Sequence, residues 1–447
     1  MKPSLLQLLC SLTTAAAAFA GPIAAPAPPE SEAWADGPYF LGDWGGARTR
    51  LAEAGVTFDS YYVANPAGNV RGGLEDGFSY VDNFYLGLSL DLGKLVGWEG
   101  ATFMISGVNR SGGSVTEAYV GSRYDVQQVH GGQNVFLYQL TLEQRFWDDK
   151  GRIKVGRFGA SDDFNTSPIY GLFMNNGIDG NIRNVLFDTQ FSAYPFATWA
   201  ARVRLDPTPE VKVQLGVFQT WEEIFDRTHN GLDWGVRGDD GVMFLAQIGW
   251  TPELFKRPVP SGATRAAGDG KKAVVAEDRR EGLPGHYWIG GSYSPWDGFA
   301  QFGKSETASG SYGFYAHADQ MVFRERAGSD EGLTLFLAAG YYPQENLSVI
   351  PFQVNAGGFY TGLIPGRDRD KTILGVIHGR FGDDYADTVE QTGGGDPTQE
   401  TVVEFGHRIQ FTRFAYLQPN VQYIHRPGGT GTIDDAVVVG AQFGITF

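Results

Sequence analysis

The feature that most constrains this sequence is a strict two-residue alternation that runs to its last residue. Six apolar residues share one parity there: Val437, Val439, Ala441, Phe443, Ile445 and Phe447. The intervening positions are mostly Gly, Gln and Thr. Because successive side chains of a strand point to opposite faces, this segment predicts a strand with one apolar face. The same period recurs in residues 84–92, 135–146, 197–205, 403–412 and 415–426, so the chain is predicted to be all-β. The alternation places Phe136, Tyr138, Leu140 and Leu142 on an apolar face, and Gln418, Asn420, Gln422 and Arg426 on a polar face.

The N-terminus has the three regions of a secretory signal peptide, in order. Lys2 supplies the positive charge, an apolar run extends to Ala18, and Ala18-Phe19-Ala20 completes a small-residue cleavage pattern. Residues 1–20 are therefore predicted to direct export, and the Pro-rich residues 21–35 to form a flexible leader. The only cysteine, Cys10, lies within the signal peptide, which excludes a disulfide framework from the mature chain.

Composition and hydropathy narrow the fold of residues 36–447 to a membrane barrel. The net charge of -16 argues against a nucleic-acid partner. No mature segment approaches the roughly 18 apolar residues of a spanning helix. A soluble sandwich would alternate too. However, aromatic residues near strand ends and Arg, Glu and Gln on the polar faces favour interfacial girdles and a wet lumen. We therefore predict a transmembrane antiparallel β-barrel. An open sheet is excluded, because its edge strands would leave backbone groups without hydrogen bonds in lipid.

The spacing of the alternating segments predicts about 16 strands, an even number as in bacterial barrels, around an aqueous channel. The predicted strands are residues 57–65, 78–92, 98–108, 133–146, 152–158, 191–205, 211–221, 242–250, 286–294, 311–323, 332–342, 352–361, 372–381, 400–411, 415–426 and 434–447. Short connections are predicted at the periplasmic end and long ones outside, the long ones being residues 109–132, 159–190, 222–241 and 382–399. Residues 251–285 break this rule, because they are long at a periplasmic position. Their Pro and basic residues predict a mobile basic connection.

One segment resembles a known family. Gly42-Asp43-Trp44-Gly45-Gly46-Ala47-Arg48-Thr49-Arg50-Leu51, followed by Glu53-Ala54-Gly55-Val56, resembles the N-terminal signature of the carbohydrate-selective porins. Lys154-Val155-Gly156-Arg157-Phe158 with Asp162-Asp163-Phe164, and Leu283-Pro284-Gly285-His286-Tyr287, are also similar to segments of that family. The resemblance implies a Gram-negative outer-membrane channel for passive diffusion of glucose-like sugars, without catalysis and without a cofactor. A short helix within residues 45–53 is predicted at the periplasmic mouth.

The candidate site lies where residues 159–190, the third outer connection, are predicted to fold into the lumen. Guanidinium and carboxylate groups can replace the water around a sugar, and aromatic faces stack on pyranose rings. The predicted constriction residues are Arg110, Glu143, Arg145, Asp162, Asp163, Asn165, Arg183, Arg202, Arg204 and Arg408. The predicted stacking residues are Tyr170, Phe173 and Tyr194. No metal site is predicted, although the adjacent Asp162 and Asp163 carry ligands that suit Ca²⁺.

Two other functions stay open on the sequence. A general, weakly ion-selective porin would have the same architecture. An outer-membrane hydrolase would need His317 and Asp319 to meet a serine such as Ser292 or Ser305. The expected partners are carbohydrates, outer-membrane lipid and the barrel-assembly machinery, which would read the strand that ends in Phe447. An apolar outer face fits lipid and a second subunit equally, so an oligomer stays open too.

Overall fold

The computed structural model describes residues 34–258 and 280–447. The predicted signal peptide, residues 1–20, and all but the last two residues of the predicted leader lie outside this part of the chain. The strands are β1 (Val56–Gly73), β2 (Gly77–Asp91), β3 (Ala101–Gly112), β4 (Val135–Phe146), β5 (Gly151–Phe158), β6 (Thr198–Leu205), β7 (Val211–Thr220), β8 (Gly241–Trp250), β9 (Glu253–Pro258), β10 (Arg280–Ser294), β11 (Phe299–Ala300), β12 (Thr307–Ala308), β13 (Ser311–Arg324), β14 (Gly332–Tyr341), β15 (Phe352–Thr361), β16 (Lys371–Arg380), β17 (Gln399–Gln410), β18 (Ala415–His425) and β19 (Asp434–Thr446).

Sixteen of these strands close into one antiparallel barrel, as predicted. Each barrel strand pairs with the next along the chain, β8 pairs with β10, and β10 pairs with β13. The ring closes where β1 pairs with both β2 and β19. The three other strands lie outside the ring. β11 pairs only with β12, and β9 pairs with the first residues of β10, before β10 enters the barrel wall. Closure leaves no unpaired edge, which is the condition for crossing a bilayer with strands.

The predicted strand positions agree with these bounds in most places, and the exceptions have local causes. β1 runs to Gly73 and not to residue 65. The strand predicted over residues 191–205 begins at Thr198, because Phe191 and its neighbours pack inside the lumen. Within the connection 251–285, Glu253–Pro258 forms β9 and pairs with the start of β10. Residues 259–279 lie outside the described residues.

Helices are short and lie in the connections. The α-helices are Ala47–Glu53, Leu92–Val96, Asn184–Phe187 and Asp383–Gln391, a π-helical turn covers Thr116–Val120, and 3₁₀ turns cover Trp34–Asp36, Trp44–Gly46, Ala160–Asp162, Tyr170–Leu172, Arg227–His229 and Pro427–Gly429. Ala47–Glu53 is the predicted N-terminal helix. Its Arg48 donates to the carbonyl oxygens of Phe447 (2.8 Å) and Phe58 (2.7 Å), which fixes the helix below the barrel. Within the described ranges no helix is long and apolar enough to cross a membrane.

The two faces of the wall have opposite character. On β17, Phe405 points outward and is half exposed, whereas Glu404 points inward and is buried. The same parity gives an outer apolar band that includes Leu86, Val155, Val203, Leu215, Phe244, Ile248, Ile289, Phe314, Leu335, Leu337, Leu374, Val421 and Val439. This band faces lipid in an outer-membrane barrel.

A β-bulge in β4 corrects one predicted face. Ser106 pairs with Gln139 and Gly107 with Leu137, so Tyr138 is an extra residue in β4. An extra residue reverses the parity of the strand beyond it. Phe136 and Tyr138, which the alternation placed on the outer face with Leu140, are therefore buried inside the wall.

Candidate functional site

The third outer connection, residues 159–197 and hereafter loop 3, folds into the barrel. Its buried apolar residues are Phe164, Ile169, Leu172, Phe173, Met174, Ile178, Ile182, Val185 and Phe191. They pack against inward residues of the wall such as Ile373, Ile377 and Val402. Because burial of apolar area holds the loop against the wall, the lumen is divided and its free cross-section is reduced.

Two buried carboxylates on one face of β17 hold the lumen loops in place. Glu404 accepts hydrogen bonds from the amides of Met174 (2.7 Å) and Asn175 (3.0 Å) in loop 3. Glu400 accepts from the amides of Arg123 (2.8 Å) and Tyr124 (3.1 Å) in residues 113–134, hereafter loop 2. Charged acceptors make the stronger class of hydrogen bond, so β17 fixes the position of both loops.

A cavity of about 760 Å³ remains between the two loops and the wall. The wall contributes Tyr61, Asn83, Arg110, Tyr416 and Gln442, and loop 3 contributes Asn176, Asp179, Asn181, Arg183, Phe187 and Tyr194. Partial burial and the nearby Glu404 carboxylate raise the pKa of Asp179 to about 8. The cavity is therefore lined by guanidinium donors, amides and aromatic rings, with one weakly acidic carboxyl group.

Two arginines, Arg110 and Arg183, line this cavity, and a third, Arg408, contacts its lining; each lies against an aromatic ring. The guanidinium carbon of Arg110 is 4.8 Å from the Tyr194 ring centre, and that of Arg183 is 4.6 Å from Phe187. Arg408 lies 4.1 Å from Tyr416 and donates to Gln442, and both of these residues line the cavity. Stacking on a ring holds the planar guanidinium in one orientation. Arg110 also donates to Asn83 (3.1 Å) and to the Gly131 carbonyl (2.8 Å), and Arg408 donates to Gln418 (2.7 Å). One terminal nitrogen of each, Nη2 of Arg110 and Nη1 of Arg408, has no hydrogen-bond partner within the described part of the chain.

Three other predicted constriction residues form a salt-bridge network outside this cavity. Arg202 contacts Glu143 (2.9 Å) and Asp163 (3.1 Å), and Lys154 contacts the second oxygen of Asp163 (2.5 Å). Burial opposes the charge of Asp163, yet Lys154 and Arg202 hold the pKa of this carboxyl below its usual range. The network joins loop 3 to β4, β5 and β6, so the structure gives Glu143, Asp163 and Arg202 a bracing position.

The remaining predicted residues are distributed around the lumen. Asp162 accepts from Tyr138 and, at 2.7 Å, from Gln139, and burial raises the pKa of Asp162. Arg204 pairs with Asp206 (2.8 Å), and Arg145 with Asp149 (3.5 Å), near the periplasmic strand ends.

Asn165 and two of the predicted stacking residues are internal to the loop 3 packing. The backbone amide of Asn165 donates to the side-chain oxygen of Gln247 (3.0 Å). Tyr170 contacts His317 (2.9 Å), and Phe173 packs edge-on against Phe336. The side chains of Tyr170 and Phe173 are buried and do not line the cavity, unlike that of Tyr194.

The sequence reasoning missed Tyr61, Tyr416 and Phe187 among the cavity residues. Tyr416 has the parity of Gln418 and Asn420, which were placed on the polar face, so its inward direction was readable from the alternation. Phe187 carried no such signal, because it lies on a four-residue helix in loop 3.

The residues of the hydrolase alternative do not form a nucleophile site. His317 and Asp319 do meet, at 2.8 Å, but the second ring nitrogen of His317 contacts Tyr170. Ser292 contacts Tyr342 at 3.1 Å. A serine nucleophile needs its base within hydrogen-bond reach. Both ring nitrogens of His317 are occupied, one by Tyr170 and the other by Asp319.

A closed 16-strand barrel with an apolar outer band and a loop-lined cavity defines a porin-type channel of the Gram-negative outer membrane. The chain belongs to the carbohydrate-selective porin, OprB family, whose family model matches residues 75–447. The protein is thus a sugar-diffusion channel of the outer membrane and not an enzyme.

Individual relatives agree with this assignment. Porin B of Pseudomonas aeruginosa is 29% identical over 442 residues, covering 92% of this chain and 91% of the relative. A putative porin, QuiX, of Acinetobacter baylyi is 26% identical, covering 92% of this chain and 94% of the relative. The high-pH structure of Pseudomonas putida OprB superposes with a TM-score of 0.82 at 27% identity, covering 93% of this chain and all of that one.

Proposed function

We propose that the 760 Å³ cavity is the sugar-selective constriction of this channel, that Arg110 and Arg183 are its principal donors, and that Arg408 acts at its edge through Tyr416 and Gln442. The observation that carries the proposal is the placement of each arginine on an aromatic ring beside the cavity. A pyranose ring offers hydroxyl groups at its edge and C–H groups on its faces. An arginine next to a ring meets both surfaces at once.

The lining supports selection by weak, repeated contact. Tyr194 donates to Asn83 (2.9 Å) and stands beside Arg110, while Asp179 and Asn181 add acceptor oxygens to the same lining. Passage requires binding that is favourable enough to enter and weak enough to leave. Glucose-like monosaccharides are the class that this lining suits, since its guanidinium, amide and aromatic groups can together replace the water around several hydroxyl groups.

The test is the ion current of single channels, titrated with glucose. The proposal predicts a saturable fall in conductance that Arg110→Ala weakens. A general porin of weak ion selectivity would show conductance indifferent to glucose, sucrose and maltose. Turnover of a chromogenic ester or glycoside would instead support the hydrolase alternative.

Three further points, on export, barrel assembly and oligomeric state, belong to the same proposal. Residues 1–20 are removed on export, which sequencing of the N-terminus of the outer-membrane protein checks. The strand that carries Phe447 is the segment that the assembly machinery reads, and Phe447→Ala should lower the yield of folded barrel. The particle mass in detergent decides whether lipid or a second copy of the chain covers the outer apolar band.

A further inference from the structure

A second, smaller pocket lies on the other side of loop 3, near the periplasmic end of the barrel. Its volume is about 240 Å³, and it is lined by inward residues of β6, β7, β8 and β10 and by residues 166–168 of loop 3. β7 begins at Val211 and β8 ends at Trp250, so Lys212 and Gly249 stand within two residues of the periplasmic strand ends. The pocket is thus part of the exit side of the channel.

The floor of this pocket is a row of three residues on adjacent strands. Lys212 pairs with Gly249, and Gly249 pairs with Trp288. Neighbouring strands are about 4.8 Å apart, so the backbones of Lys212 and Trp288 are separated by roughly 10 Å with no side chain between them. A Cβ at Gly249 would make ordinary van der Waals contacts at 3.7 to 3.9 Å, so the missing side chain leaves a notch between Lys212 and Trp288 that a larger residue could fill.

The two sides of the notch differ chemically. One face of the Trp288 ring stacks on His317, with ring centres 5.1 Å apart, and the indole forms the apolar side. Lys212 forms the cationic side. Among the described residues the Lys212 ammonium makes no salt bridge. The other charged groups of the lining include Asp163, which is paired with Lys154 and Arg202, and Arg204, which is paired with Asp206.

The next row of the wall supplies neutral hydrogen-bonding groups. Arg204 pairs with Gln214, and Gln214 pairs with Gln247. Each glutamine contacts loop 3 through one amide atom: Gln214 donates to the Asp163 carbonyl, and Gln247 accepts from the Asn165 amide. The second amide atom of each has no partner within the described part of the chain, so one acceptor and one donor group remain for hydroxyls.

We propose that this pocket is a second binding site, specific for a sugar that carries a carboxylate, such as a uronic or aldonic acid. The carboxylate pairs with Lys212, the C–H face of the ring packs on Trp288 above Gly249, and the hydroxyls bond to Gln214 and Gln247. An unpaired ammonium beside an indole is the complement of an anionic carbohydrate, whereas a neutral hexose leaves that charge unanswered. The site is separate from the constriction proposed above, and its ligand class is different.

The test measures block of single-channel current by glucuronate added on the periplasmic side, with glucose as the neutral comparison. Glucuronate should block saturably at lower concentration than glucose from that side. Lys212→Met should weaken the glucuronate block about tenfold, the value of one charge-assisted hydrogen bond, and should leave the glucose block within about twofold. Gly249→Leu, which fills the notch, should remove the glucuronate block.

The matched control is Lys371→Met. Lys371 is an inward lysine at the periplasmic end of β16, across the lumen from β7. If Lys371→Met weakens the block as much as Lys212→Met, the effect is the general field of the lumen and the proposal is wrong. Equal block by glucose and glucuronate, or full block in a folded Gly249→Leu channel, also overturns it. The effect of Arg110→Ala on the glucose block tests the constriction only, and the effect of Lys212→Met on the glucuronate block tests the second site only. Either proposal can therefore be wrong while the other holds.

Discussion

Glu404 on β17 accepts a 2.7 Å hydrogen bond from the backbone amide of Met174, which lies 230 residues earlier in the chain. The same carboxylate accepts from Asn175 (3.0 Å) and from the side chain of Asn420 (2.6 Å). A side chain buried in the wall therefore sets where loop 3 stands, and through loop 3 it sets the width of the cavity.

Removing this anchor should widen the channel. Glu404→Ala leaves two buried amides of loop 3 without their acceptor, and each unsatisfied group costs about 1–3 kcal/mol. Loop 3 then leaves its position more often, so single-channel conductance should rise and glucose should block less well. The control is Glu390→Ala on the exposed helix Asp383–Gln391. Conductance and block equal to wild type in a folded Glu404→Ala barrel would show that the packed apolar residues alone hold the loop.

Arg183 should contribute directly to sugar affinity. Arg183→Ala removes a guanidinium that lines the cavity beside Phe187. Loss of one charge-assisted hydrogen bond should weaken the glucose block about tenfold in planar bilayers. Arg183→Lys should recover only part of this affinity, because lysine lacks the planar fork. Arg145→Ala at the periplasmic end is the control, and an equal loss there would contradict a local site.

Arg202 should matter for stability and not for sugar binding. Arg202→Ala leaves the Glu143 carboxylate without its cation and Asp163 with Lys154 alone. Breaking a buried pair by removing one partner destabilises by about 3–5 kcal/mol. Urea unfolding of the barrel in detergent should therefore shift to lower urea, while the glucose block of the folded fraction stays near wild type. A weakened glucose block with unchanged stability would contradict this prediction and assign Arg202 to the sugar-binding constriction.

Asp188 should make the stability of the barrel depend on pH. Its Oδ1 accepts from the amides of Val349 (2.7 Å) and Ile350 (3.3 Å), and burial raises the pKa of Asp188 to about 8. An unfolded Asp has a pKa of about 3.9, so between these values the folded state retains a proton that the unfolded state releases. Stability is therefore fully present below about pH 4 and is lost as the pH rises through 8, by at most about 1.4 kcal/mol per pH unit.

The check is the urea midpoint of unfolding between pH 5 and pH 9. Asp188→Asn cannot titrate, so its slope should be shallower than that of the wild type, with Asp179 accounting for part of the remainder. Asp387→Asn, on the exposed side of the helix Asp383–Gln391, serves as the control and should keep the wild-type slope. Equal slopes for Asp188→Asn and wild type would contradict the raised pKa.

Most of the barrel could be read from the sequence, because one parity of each strand must face lipid. The bounds of β15, for example, are Phe352 and Thr361, as the alternation predicted. The alternation gave the wrong face for Tyr138. The extra residue of the β-bulge reverses which side chains of β4 point into the lumen on one side of the bulge, while the apolar pattern of the sequence continues unchanged. The alternation also extended a strand over residues 191–197, whose apolar residues serve the packing of loop 3.

The site was less accessible to sequence reasoning, for a geometric reason. Parity tells whether a side chain points into the lumen, but not which side of loop 3 it reaches. Arg110 and Arg202 are both inward arginines, yet one lines the cavity and the other braces the wall behind it. That distinction depends on where the loop crosses, which Glu404 and Glu400 determine through contacts distant in the chain.

The most direct test of the account is the single-channel conductance of the refolded wild-type protein in a planar bilayer, titrated with glucose. The arginine–aromatic pairs around the 760 Å³ cavity predict stepwise conductance that falls saturably as glucose occupies the constriction. Stepwise conductance that stays constant at every glucose concentration would contradict it, since the cavity would then hold no glucose that obstructs the ion current.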